Sequence, residues 1–230
     1  MRGRAPHPGV PDEALRLIVI TDARIVEARD DGLALVDVLE GALGAGARCV
    51  QLRMKGAPAR ELADVARALL PRVHRHGALL FVNDRADVAA AVGADGVHLG
   101  PDDVPVAAIR RAFGRSLRIG YSTDDPATAR AAEADGADYI GCGAVFGTTS
   151  KELGDEAIGL DRLAAVVRAV DIPVVGIGGI TPERAASVVD TGACGVAVIG
   201  AVMAAPDPAH AVHGLLAPGG SIPEERERTP

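Results

Sequence analysis

Pro173-Val174-Val175-Gly176-Ile177-Gly178-Gly179-Ile180-Thr181-Pro182 is the stretch whose reading decides the fold. Its first half is a short apolar run containing β-branched residues, the pattern of a strand buried on both faces. Its second half changes character. Glycines allow a tight turn, and Thr181 ahead of Pro182 places a capping residue before a proline at the first helical position. The reading is a strand that turns directly into a helix.

The same unit recurs in both directions along the chain. Apolar runs at 17–20, 49–52, 78–82, 96–99, 117–121, 139–142 and 195–199 join 173–177 to make eight. Helical patterns lie between them. Leu62, Val65, Ala66, Leu69, Leu70 and Val73 follow the spacing of one helical face, as do Leu163, Val166, Val167 and Val170. Asp125 before Pro126 reads as another helix start. Gly77, Gly93, Gly136 and Gly192 stand where a left-handed residue ends a helix. Strand then helix, eight times, predicts a parallel sheet with right-handed crossovers. Such units close most simply as a single (β/α)8 TIM barrel, an α/β fold; a doubly wound open sheet is the alternative. The barrel domain is expected over 14–216. Residues 1–13 and 217–230, polar and Pro-rich, are expected to be flexible tails.

Composition narrows the function. The formal charge is −7 and no long Lys/Arg run occurs, so a general nucleic-acid binder is excluded. No apolar stretch is long enough to span a bilayer, and the N-terminus lacks the apolar region of a secretory signal. Cys49, Cys142 and Cys194 are odd in number and have no CxxC spacing. They support neither a disulfide framework nor a zinc site, and fit a reducing cytoplasm. Trp is absent and aromatics are scarce, so the core must be built from Val, Leu, Ile and Ala, with little surface for stacking bases. A homo-oligomer is compatible with all of this.

In barrels of this kind the active site lies at the C-terminal ends of the strands. Gln51, Arg53 and, if the strand continues, Lys55 share a face after the second run, and two cations with an amide suggest an anion site. Asn83-Asp84 follows the third run and Asp102-Asp103 the fourth. Asp84 with either Asp102 or Asp103 would suit Mg²⁺, which takes few carboxylates and completes its shell with water and phosphate; helix capping is the plainer reading of the same residues. Ser122 ends the fifth run as a donor, without an evident base to make it a nucleophile. The segment from Gly141 to Lys151 combines small residues, hydroxyls and a lysine, as a closing lid would. Gly178 and Gly179 after the seventh run, and Ile199-Gly200 after the eighth, stand where backbone N–H groups bind phosphate. One anion site is therefore cationic and suits pyrophosphate; the other is neutral backbone and suits a monophosphate. His98 lies inside the fourth run, but no partner for acid/base work is evident.

These stations, in this order, resemble the thiamine phosphate synthase family. The residues that carry the resemblance are Thr21-Asp22, Gln51-Leu52-Arg53-x-Lys55, Asn83-Asp84, Asp95-Gly96-Val97-His98-Leu99-Gly100-x-x-Asp103, Ser122, Asp138-Tyr139-Ile140-Gly141 through Lys151, Ile177-Gly178-Gly179-Ile180 and Gly195-Val196. The resemblance covers about 14–215. It implies that Gln51 contacts an aminopyrimidine, and that Arg53, Lys55, Asn83, Ser122 and Lys151 hold its pyrophosphate. It implies Mg²⁺ on Asp84 and Asp103, and a thiazole phosphate held by Thr148, Ser150, Gly179 and the backbone at Ile199 and Gly200. Small-molecule substrates are thus the implied partners, joined with release of pyrophosphate. Departures from the family pattern are Ala144 and Gly147 in place of prolines, Ser150 in place of Thr, and Gly200 where Ser is frequent; they bear on affinity more than on reaction type. A thiazole tautomerase on the same barrel, or a non-catalytic phosphate-ligand sensor, would have no use for the cations and carboxylates of the first site.

Overall fold

The computed structural model describes residues 9–147 and 157–217. Each apolar run forms a strand, with ends that differ by a single residue at most: β1 Leu17–Ile20, β2 Cys49–Leu52, β3 Leu79–Asn83, β4 Gly96–Leu99, β5 Arg118–Ser122, β6 Tyr139–Gly143, β7 Val174–Ile177 and β8 Gly195–Val198. All pair in parallel and in chain order. The ring closes where Leu17 of β1 faces Val196 of β8, so the open-sheet alternative is ruled out. Between and around the strands run α1 Asp12–Leu15, α2 Ala23–Glu27, α3 Leu35–Gly44, α4 Ala59–Arg75, α5 Ala86–Val92, α6 Val106–Phe113, α7 Pro126–Ala134, α8 Gly159–Val167, α9 Pro182–Val189, α10 Gly200–Met203 and α11 Pro208–Leu216.

Two apolar layers hold this architecture. The outer layer lies between strands and helices. In α4 it takes Leu62, Ala66, Leu69 and Val73, the face expected from their spacing, while Val65 and Leu70 sit half-buried at its margin. The inner layer fills the barrel with Ile18, Ile20, Cys49, Phe81, Tyr139, Val175 and Ala197. Phe81 and Tyr139 meet edge to face, 5.6 Å between centroids. Glycine makes room for both rings: a Cβ at position 96 would lie 2.3 Å from Phe81, and one at position 120 would lie 2.3 Å from Tyr139.

Helix boundaries follow local chemistry with one exception. Asp125 caps α7 by accepting from the Thr128 N–H at 2.8 Å, and Gly93 ends α5 with φ +75°. Thr181 does stand before Pro182 at the start of α9, but its hydroxyl donates to Glu183 instead of capping the helix. The domain boundary expected at residue 14 falls inside α1. Val10 is buried with Ala14 and Leu15 in the inner layer, and Arg118 at the start of β5 donates to the Gly9 carbonyl at 3.1 Å. This segment therefore packs against the N-terminal end of the barrel. The remainder of the two expected tails, 1–8 and 218–230, lies outside the described residues.

Candidate active site

The C-terminal strand ends surround a cavity of about 1260 Å³, lined among others by Gln51, Arg53, Lys55, Asn83, Asp84, Asp103 and Ser122. The anion-binding candidates of β2 are held from β1. The Arg53 N–H donates to Thr21 Oγ1 at 2.9 Å, and the fully buried Thr21 hydroxyl reaches the Arg53 carbonyl at 3.2 Å. The Arg53 guanidinium lies 3.4 Å from Asp22, which also pairs with Arg24 at 3.1 Å. Burial pushes the Asp22 carboxyl up, but the hydrogen bonds and charge of Arg24, joined by Arg53, hold it below the usual carboxylate range.

Asp84 and Asp103 meet across the ends of β3 and β4. Asp84 has φ +62°, a conformation that Asp tolerates better than most side chains, and its N–H donates to the His98 carbonyl at 2.8 Å. The Asp103 carboxylate accepts from the Gly100 N–H at 2.6 Å. Burial, a shared hydrogen bond with Asp103 and that residue's charge push the Asp84 carboxyl up to about 6, against the pull of Lys55 and Arg53. Two acidic groups forced together lower their energy by sharing a proton or a cation. Among the described residues no cluster of three or more His, Cys, Asp or Glu has metal-binding geometry. A pair of carboxylates is the donor set of a hard cation that keeps its waters and takes phosphate oxygens, which is how Mg²⁺ behaves. Asp102 also lines this cavity, on its exposed rim.

His98 has partners that the sequence did not disclose. Its Nε2 lies 2.7 Å from Ser122 Oγ and its Nδ1 lies 2.8 Å from the Tyr139 hydroxyl. The ring is buried, and burial pulls its pKa down to about 4, so the neutral imidazole prevails at neutral pH. A signal existed: His98 is the register partner of Gly120, and Gly141 pairs with Ser122 two residues further along β5, where glycine beside a polar interior residue marks space made for it.

A second cavity of about 540 Å³ opens beside the first, lined by Phe146, Gly147, Gly178, Gly179, Arg184 and Gly200. Ile25, Ile177 and Ile199 line both cavities. Gly178 and Gly179 have φ +99° and +63°. They allow close backbone approach: the Phe146 N–H donates to the Gly178 carbonyl at 3.1 Å, and the Val145 N–H to the Ile177 carbonyl at 2.8 Å. Arg184 lies 5.0 Å over the Phe146 ring and donates to the Gly179 carbonyl at 2.9 Å. The expected site residues thus divide between two adjoining cavities. Thr148, Ser150 and Lys151 lie outside the described residues.

Fold and site together define a (β/α)8-barrel enzyme with one charged cavity and one glycine-rich cavity at the C-terminal strand ends. The family model described as thiamine monophosphate synthase matches residues 17–202, and the chain belongs to that family. The thiamine-phosphate synthase of Roseiflexus castenholzii is 48% identical over 197 residues, covering 86% of this chain and 85% of its own. That of Natronomonas pharaonis is 50% identical over 186 residues, covering 80% and 87%. The solved thiamine phosphate pyrophosphorylase of Pyrococcus furiosus superposes with a TM-score of 0.79 at 42% identity, over 89% of this chain and 95% of that one. The chain is accordingly a transferase that forms thiamine phosphate. The tautomerase and sensor alternatives give way to this reading, because these relatives are synthases across most of both chains.

Proposed function

We propose that this enzyme joins 4-amino-2-methyl-5-pyrimidinylmethyl pyrophosphate to hydroxyethylthiazole phosphate, with Mg²⁺ held by Asp84 and Asp103. The observation that carries the proposal is the meeting of cations and paired carboxyls: Lys55 and Arg53 act electrostatically on the Asp84–Asp103 pair within one cavity. Cations alone would suit any anion. Cations beside two carboxyls in contact suit a metal-bound pyrophosphate.

Arg53, Lys55 and Lys151 neutralise the charge that develops on the departing pyrophosphate, and Asn83 and Ser122 donate hydrogen bonds to it. When bound, Mg²⁺ supplies further positive charge to the same oxygens. Gln51 orients the aminopyrimidine, whose electron-rich ring supports a methylene cation as the carbon–oxygen bond breaks. The thiazole nitrogen attacks that carbon. Thr148, Ser150 and the backbone N–H groups at Gly178, Gly179, Ile199 and Gly200 hold the thiazole phosphate, so its nitrogen approaches from the second cavity. No protein nucleophile takes part. The setting is the cytoplasm, a reading supported by three free thiols and by the absence, among the described residues, of any helix long and apolar enough to cross a membrane.

The test is a three-component assay on purified protein, following thiamine phosphate by thiochrome fluorescence while each substrate and Mg²⁺ is omitted in turn. Product that needs all three is the expected result. Product formed without Mg²⁺ in the presence of a chelator would overturn the metal assignment, and no product from folded protein would overturn the substrate assignment.

A further inference from the structure

Arg29 stands just past the end of α2, and its side chain is only 6% exposed although it carries a full charge. A guanidinium so shielded from water must have its donors met within the protein. Two elements meet them. Nη1 donates to the Met203 carbonyl and to the Ala205 carbonyl, both at 2.9 Å. Nε donates to Asp31 Oδ1 at 2.9 Å, and Nη2 donates to Asp31 Oδ2. Four of its five N–H groups are thus engaged inside the protein. Arg29 lines the first cavity, yet it has little left to offer a substrate directly.

Its carbonyl partners lie at the C-terminal end of α10. That helix is a single turn of four residues, too short to hold itself in place. It closes on the Ile199 carbonyl, which accepts from the Val202 and Met203 N–H groups at 3.2 and 2.9 Å. Pro206 has no N–H with which to continue the turn, so the carbonyls at this end are met by a side chain from another element. Val202 and Met203 are fully buried and tie one side of α10 to the core. Apolar contact is non-directional and leaves rotation and sliding open; hydrogen bonds fix both. At the opposite end of α10, Gly200 lines the second cavity, and a Cβ there would meet nothing within 4 Å. This is the backbone proposed above to hold the thiazole phosphate.

We infer that Arg29 is a positioning residue for the acceptor: it grips the end of α10 and thereby sets the Ile199–Gly200 backbone against the thiazole phosphate. The inference rests on the substrate assignment proposed above and deepens it. The grip has a firm base. Asp31 holds the plane of the guanidinium through two contacts, and α2 is fastened at its start, where Asp22 accepts from the Arg24 N–H at 3.1 Å. When the grip is lost, α10 gives way and α2 does not, so the pyrophosphate side keeps its geometry. A lysine in place of Arg29 would keep the charge, but its single ammonium cannot span two carbonyls and a carboxylate.

The test is steady-state kinetics of Arg29→Lys, with each substrate varied while the other saturates. KM for the thiazole phosphate should rise about ten-fold, the scale of a small misplacement of binding groups. KM for the pyrimidine pyrophosphate and kcat should stay within about two-fold, the signature of lost ground-state binding to one substrate. Arg29→Ala should show the same split, and guanidinium chloride at millimolar concentration should restore its KM where sodium chloride does not. An unchanged KM for the thiazole phosphate in either folded variant would overturn the inference, as would equal rises in both KM values, the mark of general loosening. If Arg29→Lys did not fold, Arg29 would serve the fold alone and the inference would fall. Failure of the substrate assignment is separately visible, since the intact enzyme would then form no product from the natural pair.

Discussion

Adding one methyl group at Gly178 should cost more than adding it at Gly93, and only the first should reach the acceptor site. Both glycines have positive φ, +99° and +75°, where an L side chain costs about 1–2 kcal/mol. At Gly93 a Cβ meets nothing within 4 Å, so Gly93→Ala should stop at that cost. At Gly178 the same atom would lie 2.5 Å from Ala144 Cβ and 2.6 Å from its Cα. Backbone cannot rotate away, and forced overpacking adds about 1–3 kcal/mol. Gly178→Ala should therefore lose about 2–5 kcal/mol in total. The displacement falls on the segment joined to β7 through the Phe146 N–H and the Gly178 carbonyl, 3.1 Å apart, beside the second cavity. Urea unfolding of both variants gives the energies from midpoint shifts at constant slope. Steady-state kinetics should show a raised KM for the thiazole phosphate in Gly178→Ala and an unchanged one in Gly93→Ala. Equal destabilisation of the two, or an unaltered KM in Gly178→Ala, would refute the reasoning.

Lys151→Ala should lower turnover strongly and leave the unfolding midpoint where it was; normal turnover would remove Lys151 from the pyrophosphate site. Asp95 is a structural carboxylate, accepting from the buried Leu80 N–H at 2.9 Å and lying 2.8 Å from His74 Nε2. Asp95→Ala should cost about 1–3 kcal/mol in urea unfolding, with KM values near normal, because it strands a buried donor. The Asp84 carboxyl, raised to about 6 when folded from an ordinary value of 3.8, binds its proton more tightly in the folded chain. Its contribution is thus present at low pH and is lost as pH rises through 6. In chelator, the melting temperature of the natural protein should fall relative to Asp84→Asn between pH 4 and 7, and Mg²⁺ should recover more of it at pH 7 than at pH 5.

The barrel was readable from sequence because its information is local. Each strand is a short apolar run set off from the helical patterns around it, and the unit count predicts closure. The start of the domain was harder to read, since Val10 is a lone apolar residue among prolines and charges, and only its burial in the inner layer makes it part of the barrel. The anion-site candidates were legible for a related reason. β2 ends at Leu52, so Arg53 and Lys55 follow it in the turn, yet both line one cavity with Gln51, and Asp84 and Asp103 follow neighbouring strands. The residues alone left Asp102 and Asp103 open as partner to Asp84; the family resemblance implied Asp103, and it is Asp103 that lies against Asp84 in the structure. His98 gave least away. Its partners lie 24 and 41 residues further on, and no periodicity links a histidine in β4 to a serine in β5 and a tyrosine in β6. Such a contact belongs to the circumference of the barrel, which the linear order of residues does not display.

Ile25, Ile177 and Ile199 line both cavities and put apolar surface where the two adjoin. In the dissociative step proposed above, a benzylic-type cation would have two competing fates, capture by the thiazole nitrogen or capture by solvent. Charge at either end of the site speeds departure of the leaving group but does nothing to choose between them. On that proposal the choice would fall to these isoleucines, whose branched side chains offer a water molecule no hydrogen bond. The ratio of pyrophosphate released to thiamine phosphate formed is therefore a gauge of dryness at those three residues, separate from the rate at which the first bond breaks.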